Sequence, residues 1–293
     1  MRHLFLCVAF LLASLAGTAP AMAEDSFTPA MEAYREGRFS DALLIAKPLA
    51  EQGNVPAQLM LGSIYNNGEG VTPDTDEAAR WFALAAAKGD ASAQYALGMM
   101  HEYGGVSEAK PEEARRLFTA AAEQGHVASQ AELGMMYASG RGGAQDLAQA
   151  ASWFERAAEK GNANGQYYLG TLYAAGRGKP ENYAEAARLF TLAADQGHAQ
   201  ANYQLGLMLQ DGIGVQKNQA GAITRFRTAA ERGVPGAQTA LGFASKVLMD
   251  EIQARLHLDE QIAGFIGGIA RPPAQPGFAS DSPIHAEPVT PYA

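Results

Sequence analysis

The chain has 293 residues, of which 47% are apolar and 18% charged, and a formal net charge of −9. This composition predicts a folded chain, because disordered proteins are poorer in apolar residues. The acidic balance argues against a nucleic-acid partner, since binding to a phosphate backbone relies on clustered Lys and Arg and the sequence has no basic run.

The N-terminus has the pattern of a cleavable secretory signal. Arg2 precedes the apolar run from Leu4 to Leu15, and Ala21-Met22-Ala23 is the small-x-small pattern at which signal peptidase cuts. We predict a signal peptide at residues 1–23, cleaved between Ala23 and Glu24. The apolar run is shorter than the roughly 20 residues that span a bilayer, so we expect no transmembrane segment in the mature chain.

Cysteine usage and glycosylation signals favour a bacterial compartment. Cys7 is the only cysteine and lies in the predicted signal, so the mature chain would have neither disulfides nor thiolate metal ligands. The sequence also has no Asn-x-Ser/Thr acceptor for N-glycosylation. We therefore expect a periplasmic or secreted bacterial protein.

Residues 24–54 are expected to form a divergent helix pair that caps the N-terminal end of a repeat array. A short first helix begins at Met31, Gly37 forms the turn, and a second helix covers residues 42–52. Terminal units of repeat proteins are expected to be atypical, because one of their faces has no neighbour.

A 36-residue period dominates the middle of the chain. The pair Leu61-Gly62 recurs at this spacing up to Leu241-Gly242, and phenylalanines, alanine pairs and closing glycines recur in the same register. Self-similarity of this kind indicates a solenoid of stacked helix pairs. The five complete units are residues 55–90, 91–126, 127–162, 163–198 and 199–234.

Each unit predicts two helices, A and B, joined by a glycine turn. In the first unit Gln58 and Leu61 lie on the packed face of helix A, and Gly62 marks a place where a neighbouring helix passes close. Asp74 is the predicted N-cap of helix B, with Glu77 as the second half of a capping box. The equivalent caps are Asp146, Asn182 and Asn218, and the second unit has Lys110-Pro111 instead.

The motif A-x-A-Q-Y-x-L-G-x-M, followed by G-x-G-V and A-x-x-W-F-x-x-A-A-x-x-G, resembles the Sel-one-like repeat, a relative of the tetratricopeptide repeat. The resemblance covers Val55 to Val234 and implies an all-α fold, a right-handed α/α superhelical solenoid. It also implies an exported bacterial scaffold or adaptor for protein interaction. We expect residues 235–266 to be a partial sixth repeat and a C-terminal capping helix, and the proline-rich residues 267–293 to be a disordered tail.

The sequence offers little for catalysis or for metal binding. No two histidines of the mature chain have the i, i+4 spacing of a helical zinc site, and His126 and His198 are predicted to be polar residues at the turns between repeats. The segments 140–143 and 176–178 are inter-helix turns and not phosphate loops. We expect no enzyme activity and no cofactor. The alternative is a cell-wall or β-lactam-related hydrolase, as the resemblance suggests for cysteine-rich relatives.

The predicted binding site is a groove on the concave side, lined by the stripe of helix A opposite its packed face. We expect a protein or peptide partner there, because aromatic and methionine side chains suit such contacts. Tyrosine in the first column would alternatively brace the neighbouring repeat. The predicted groove residues are Leu59, Ser63, Asn66, Tyr95, Met99, Glu102, Ala131, Met135, Ala138, Tyr167, Thr171, Ala174, Tyr203, Leu207 and Gln210.

Overall fold

The structure of the protein is a computed structural model. It describes the backbone of residues 24–269 and the side chains of residues 26–263. The predicted signal peptide and its cleavage site after Ala23 lie outside the described residues, as does all of the predicted tail beyond Ile269. The chain divides into two compact units, one ending at Ala244 and the other beginning at Ser245.

The protein is all-helical within residues 24–269, with thirteen α-helices and no strand there. This confirms the predicted fold class. The helices are α1 (Glu24–Arg35), α2 (Phe39–Glu51), α3 (Val55–Asn67), α4 (Thr75–Ala87), α5 (Ala91–Tyr103), α6 (Pro111–Glu123), α7 (Val127–Ser139), α8 (Leu147–Glu159), α9 (Ala163–Ala175), α10 (Tyr183–Asp195), α11 (Ala199–Asp211), α12 (Gln219–Glu231) and α13 (Ala237–Ile269).

Helices α3 to α12 form five stacked pairs, and each helix packs against the helices that precede and follow it in the chain. We call the first helix of each pair, α3, α5, α7, α9 and α11, the A helix, and its partner the B helix. Neighbouring A helices also touch, as α7 and α9 do. The pairs therefore build a helical solenoid, and its A helices lie side by side.

The turn chemistry follows the sequence, with one exception. In α4 the Asp74 side chain accepts a hydrogen bond from the Glu77 backbone N–H at 2.9 Å, and the equivalent caps of α8, α10 and α12 do the same, so the predicted N-caps are confirmed. The capping-box half of the prediction is wrong. The Glu77 carboxylate pairs with Arg80 at 2.6 Å, while the Asp74 N–H donates to the Tyr65 carbonyl at 2.9 Å. The backbone donor is already satisfied, so the glutamate is free to pair along the helix.

A buried amide joins each A helix to the preceding helix. Gln130 on α7 is 6% exposed, and its Nε2 donates to the carbonyl of Ala122 at the end of α6 at 3.2 Å. Such a bond stabilises the helix end, because the last carbonyls of a helix have no partner within it. The equivalent donors are Gln58, Gln94, Gln166 and Asn202, which bond to the carbonyls of Ala50, Ala86, Ala158 and Ala194.

The N-terminal helix pair differs in length from the prediction. Helix α1 begins at Glu24 and not at Met31, because Phe27 and Ala30 are buried and pack in one core cluster with α2 and α3. Pro29 lies inside this helix. An apolar face that packs can thus extend a helix beyond what local propensity favours.

The C-terminal region is one helix and not two. Helix α13 runs unbroken from Ala237 to Ile269, past Gly242 and past the predicted boundary at residues 267–268. The prediction of a partial repeat followed by a separate capping helix within residues 235–266 is therefore wrong, since glycine lowers helix propensity without forbidding a helix. The first unit includes its buried start at Ala237 and Ala244, and residues 249–263 are all exposed.

Candidate binding face and cavity

The first column of predicted groove residues packs inside the solenoid. Leu59, Tyr95 and Ala131 are only 9%, 6% and 3% exposed, so the expectation that they are open is wrong. Tyr167 is partly exposed, but its ring stacks on His198 with the centroids 4.5 Å apart and lies 5.8 Å from the ring of Phe190.

Tyr203 shows the same arrangement in the last repeat. It is partly exposed, and its ring lies 5.9 Å from that of Phe226 on α12. The tyrosine column therefore braces the repeats, which was the alternative to a binding role. Tyr95 and Tyr167 contact both their own B helix and the histidine cap of the next A helix.

The two histidines at the repeat boundaries act as helix caps. His126 and His198 accept hydrogen bonds at Nδ1 from the backbone N–H groups of Ser129, at 3.2 Å, and Ala201, at 3.1 Å. Burial lowers the pKa of both rings, and the charge of Asp90 opposes this for His126. Asn54, Asp90 and Asn162 cap the other A helices with side-chain oxygens. The prediction of polar turn residues is confirmed.

The second predicted column is accessible. Ser63, Met99, Met135 and Leu207 are partly exposed and Thr171 is exposed. Other accessible residues of the A helices lie beside this column. Some follow the first column by one position, as Glu132, Tyr168 and Gln204 do, and others follow the second column by four positions, as Tyr103, Ser139 and Asp211 do. We call this surface the A-helix face, and define it by Met99, Tyr103, Glu132, Met135, Ser139, Tyr168, Thr171, Gln204, Leu207 and Asp211.

The third predicted column is only partly accessible, and two of its side chains form hydrogen bonds with the adjacent residue. Asn66 donates to Asn67 at 3.1 Å, and Gln210 donates to Asp211 at 3.3 Å. Ala138 and Ala174 are partly exposed. Glu102 differs from the others, because it forms an ion pair with Arg141 from the following repeat.

A cavity of about 260 Å³ opens on the A-helix face where α5, α7 and α9 meet. It brings together three of the predicted residues, Glu102, Met135 and Ala138. The other six residues were not among the predicted ones. The cavity is lined by Glu102, Glu132, Met135, Met136, Ala138, Ser139, Arg141, Phe154 and Tyr168.

Two carboxylates and one guanidinium set the charge of this cavity. The Arg141 guanidinium pairs with Oε1 of Glu102, whose side chain is only 3% exposed, while Oε2 is buried without a hydrogen-bond partner. Burial raises the pKa of Glu102, and the charge of Arg141 opposes that rise. Glu102 is therefore a buried acid with only half of its carboxylate satisfied.

Glu132 is the second acid, and it belongs to the same electrostatic cluster. Its Oε2 accepts a hydrogen bond from the Tyr103 hydroxyl at 3.0 Å. Burial raises the pKa of Glu132; the bond from Tyr103 opposes this, and the charge of Glu102 adds to it. The pKa of Tyr103 is also raised, by burial first and then by Glu132. The cluster thus has one more carboxylate than it has guanidinium groups.

A second, larger cavity of about 510 Å³ lies between the third and fourth repeats. Its lining includes Glu155, Gln166, Tyr173 and Arg188. Glu155 pairs with Lys179 at 2.6 Å, so this acid already has its counter-charge. None of the predicted groove residues lines this cavity.

The described residues contain neither a cluster of metal ligands nor a helix suited to crossing a membrane. No three His, Cys, Asp or Glu side chains among them are grouped so that they could hold a metal ion. No helix among them combines the length and the apolar character needed to cross a membrane.

Stacked helix pairs with capped turns and side-by-side A helices define a helical-repeat scaffold. The chain belongs to the Sel1 repeat family, whose sequence profile matches residues 55–90, 91–126, 127–162, 163–198 and 199–234. Sel1 repeats form a scaffold that generally serves protein interaction. No match was found among curated proteins.

Two solved structures share this fold. A protective antigen of uropathogenic Escherichia coli strains, which displays the Sel1-like repeat fold, is 34% identical with a TM-score of 0.70 over 75% of this chain. This chain spans 48% of that antigen, or about half its length. A Sel1 repeat protein from Oxalobacter formigenes is 27% identical with a TM-score of 0.69, and the similarity covers 74% of this chain and 86% of that protein.

Proposed function

We propose that this protein is an exported bacterial scaffold that binds a protein or peptide partner along its A-helix face. The observation that carries the proposal is the row Met99, Met135 and Thr171, which crosses three successive repeats beside the cavity and remains accessible. Methionine suits such a surface, because its flexible and polarisable side chain adapts to a partner. The general role of Sel1 repeats as interaction scaffolds supports the same function.

Binding, and not catalysis, is the proposed mode of action. The acids of the cavity are held by Arg141 and Tyr103, and the proposal requires no cofactor. The net charge of −9 favours a protein partner over nucleic acid. The hydrolase alternative predicts that the purified protein turns over nitrocefin, and we expect no turnover.

Site-specific photocrosslinking tests the binding face. A photoreactive amino acid is placed at Thr171 on the A-helix face and, as a matched control, at Leu192 on the B helix α10, where the side chain is 40% exposed. In intact cells we expect a discrete crosslinked partner from position 171 and none from position 192. The same pattern of crosslinks from both positions would remove the basis for this face.

Export rests on the N-terminal segment and has its own test. We expect the mature protein in the periplasmic or secreted fraction, with Glu24 as its first residue. N-terminal sequencing of the protein from fractionated cells measures both. Recovery in the cytoplasm with Met1 retained would contradict export and would leave the binding proposal standing.

A further inference from the structure

The cavity between α5, α7 and α9 has an excess of negative charge on the A-helix face. Glu102 and Glu132 contribute two carboxylates against the one guanidinium of Arg141. Burial is the first cause of each raised pKa and the charge of Arg141 offsets it only in part, so an added cation would lower both values. With both carboxylates ionised, the cluster of Glu102, Glu132 and Arg141 lacks one positive charge.

The cluster also holds an acceptor atom that has no hydrogen-bond partner. Oε2 of Glu102 is buried and has no hydrogen-bond partner, although the residue lines the cavity and its side chain is 3% exposed. A buried polar atom without a partner is costly, and a donor supplied by a ligand would remove the cost. Glu132 lines the same cavity and provides further acceptor capacity.

The geometry of the acceptors favours an ammonium over a guanidinium. Arg141 already occupies the other oxygen of Glu102, so this carboxylate cannot offer the two parallel acceptors that a second guanidinium binds best. An ammonium is a compact charge with three donors and can contact two separate carboxylates. Glu102 and Glu132 lie on different A helices and present such separate acceptors.

The walls and the volume fit one long side chain. Met135, Met136, Phe154 and Tyr168 form an apolar wall, against which an aliphatic stem can pack while its charged end reaches the acids. The rings of Phe154 and Tyr168 stack with centroids 5.3 Å apart, and an aromatic face attracts a nearby cation. A cavity of about 260 Å³ is smaller than the pockets of drug-sized ligands, which start at roughly 300 Å³.

We propose that this cavity is a recognition pocket for a lysine side chain of the protein partner, with the ammonium bound by Glu102 and Glu132. The inference rests on the proposed function, because it specifies the chemistry by which the A-helix face selects its partner. Arg141 then acts as a regulator of affinity, since it competes with the lysine for Glu102.

Methyl NMR with a small probe tests the pocket directly. The protein is labelled at its methionine methyl groups and titrated with Nα-acetyl-lysine methylamide at low salt. We expect saturable shifts of Met135 and Met136, which line the cavity, and none of Met208 on α11. The Nε-acetylated probe has the same stem without the charge, and we expect it to cause no saturable shift.

Two substitutions of the cluster should act in opposite directions. We expect Glu102→Gln to lower the affinity for the lysine probe about tenfold or more. Glu132→Gln serves as a second variant if the first does not fold. Arg141→Gln should strengthen binding several-fold, because it releases the second oxygen of Glu102. Glu185→Gln, on an acid that pairs with Arg188 outside the cavity, should leave the affinity unchanged.

The outcomes separate this inference from the proposed function. Equal shifts with both probes, unchanged affinity in Glu102→Gln and Glu132→Gln, or weaker binding in Arg141→Gln would overturn the lysine pocket. If the lysine probe shifts neither methionine while position 171 still crosslinks a partner, the pocket is wrong and the binding face stands. If the lysine probe shifts neither methionine and position 171 crosslinks no partner, both proposals are wrong.

Discussion

Gly134 on α7 lies directly against the ring of Phe154 on α8: a Cβ atom at position 134 would be 2.6 Å from two atoms of that ring. The same pairing of glycine and phenylalanine recurs in all five repeats. It explains why each A helix keeps a glycine despite a cost of about 1 kcal/mol in helix propensity. The sequence predicted a close neighbour here, and the neighbour is the aromatic ring of the same repeat.

Gly134→Ala should destabilise the protein. The methyl group gains about 1 kcal/mol in helix propensity but forces Phe154 from its position, and overpacking of a core costs about 1–3 kcal/mol. We expect a lower midpoint in thermal unfolding followed by circular dichroism.

Gly242→Ala is the matched control and should have the opposite effect. Gly242 is also helical, but a Cβ atom there would meet nothing within 4 Å. The variant should therefore gain about 0.5–1 kcal/mol. If both alanine variants shift the midpoint in the same direction, the ring contact is not the reason for the glycine column.

Gln130→Met should weaken the junction between the second and third repeats. The substitution preserves the size of the side chain but removes the buried donor to the Ala122 carbonyl, 3.2 Å away. We expect a loss of at most about 1 kcal/mol, because that carbonyl still accepts from the Gly125 N–H and because the substitution also removes Oε1 of Gln130, which is buried without a hydrogen-bond partner. Urea unfolding measures it, and Gln200→Met, at an exposed position, should be neutral.

His198 should make stability depend on pH. Burial lowers the pKa of its ring in the folded state, so the contribution of the cap is complete above the unfolded value of about 6.5 and is lost as the pH falls through the folded value. Protonation also removes the Nδ1 acceptor for the Ala201 N–H. We expect the urea midpoint to fall between pH 7.5 and pH 5.

Asparagine at position 198 should reduce this pH dependence, because Asn162 caps the equivalent helix with its side-chain oxygen. His257→Asn serves as the control, since the His257 side chain is 82% exposed. An equal drop in midpoint for His198→Asn and for the unmodified protein would contradict the assignment of His198 as a pH-sensitive cap.

Lys110→Asn should stabilise the second repeat. Lys110 precedes α6 and makes no side-chain cap bond, whereas Asn182 caps the equivalent α10 by accepting from the Glu185 N–H at 3.0 Å. A cap contributes about 1 kcal/mol. The lost pair between Lys110 and Glu108 is exposed and contributes little. An unchanged or lower thermal midpoint would contradict this prediction.

The sequence predicts the repeats well, because each 36-residue unit carries its own caps and turn glycines. It predicts the accessible side of each A helix less well, because an A helix is packed on more than one side. The helical period of the sequence identified the packed side that contains Leu61. It could not distinguish a second packed side of the helix from the exposed side. The predicted stripe is therefore accessible at Met135 and packed at Ala131, where the accessible residue is Glu132, one position later and about 100° further round the helix.

The columns themselves carried a signal for the accessible side. The first column contains only apolar and aromatic residues, while the next column includes Glu132 and Gln204, as an accessible column does, although Met60 in the same column is buried. The ion pair of Glu102 with Arg141 could not be predicted from the helical period, since it joins a helix to the turn of the following repeat. One repeat later the position of Arg141 is Arg177, but the position of Glu102 is Ala138, so the sequence offers no equivalent ion pair there.

The affinity of the crosslinked partner for two arginine variants tests the central claim most directly. Once the partner from position 171 is identified, its binding to the purified protein is measured for Thr171→Arg and for Leu192→Arg. If the A-helix face binds the partner, Thr171→Arg should weaken binding about tenfold or more and Leu192→Arg should leave it unchanged. Full affinity in Thr171→Arg together with a loss in Leu192→Arg would contradict the account, because the partner would then bind through the B helices.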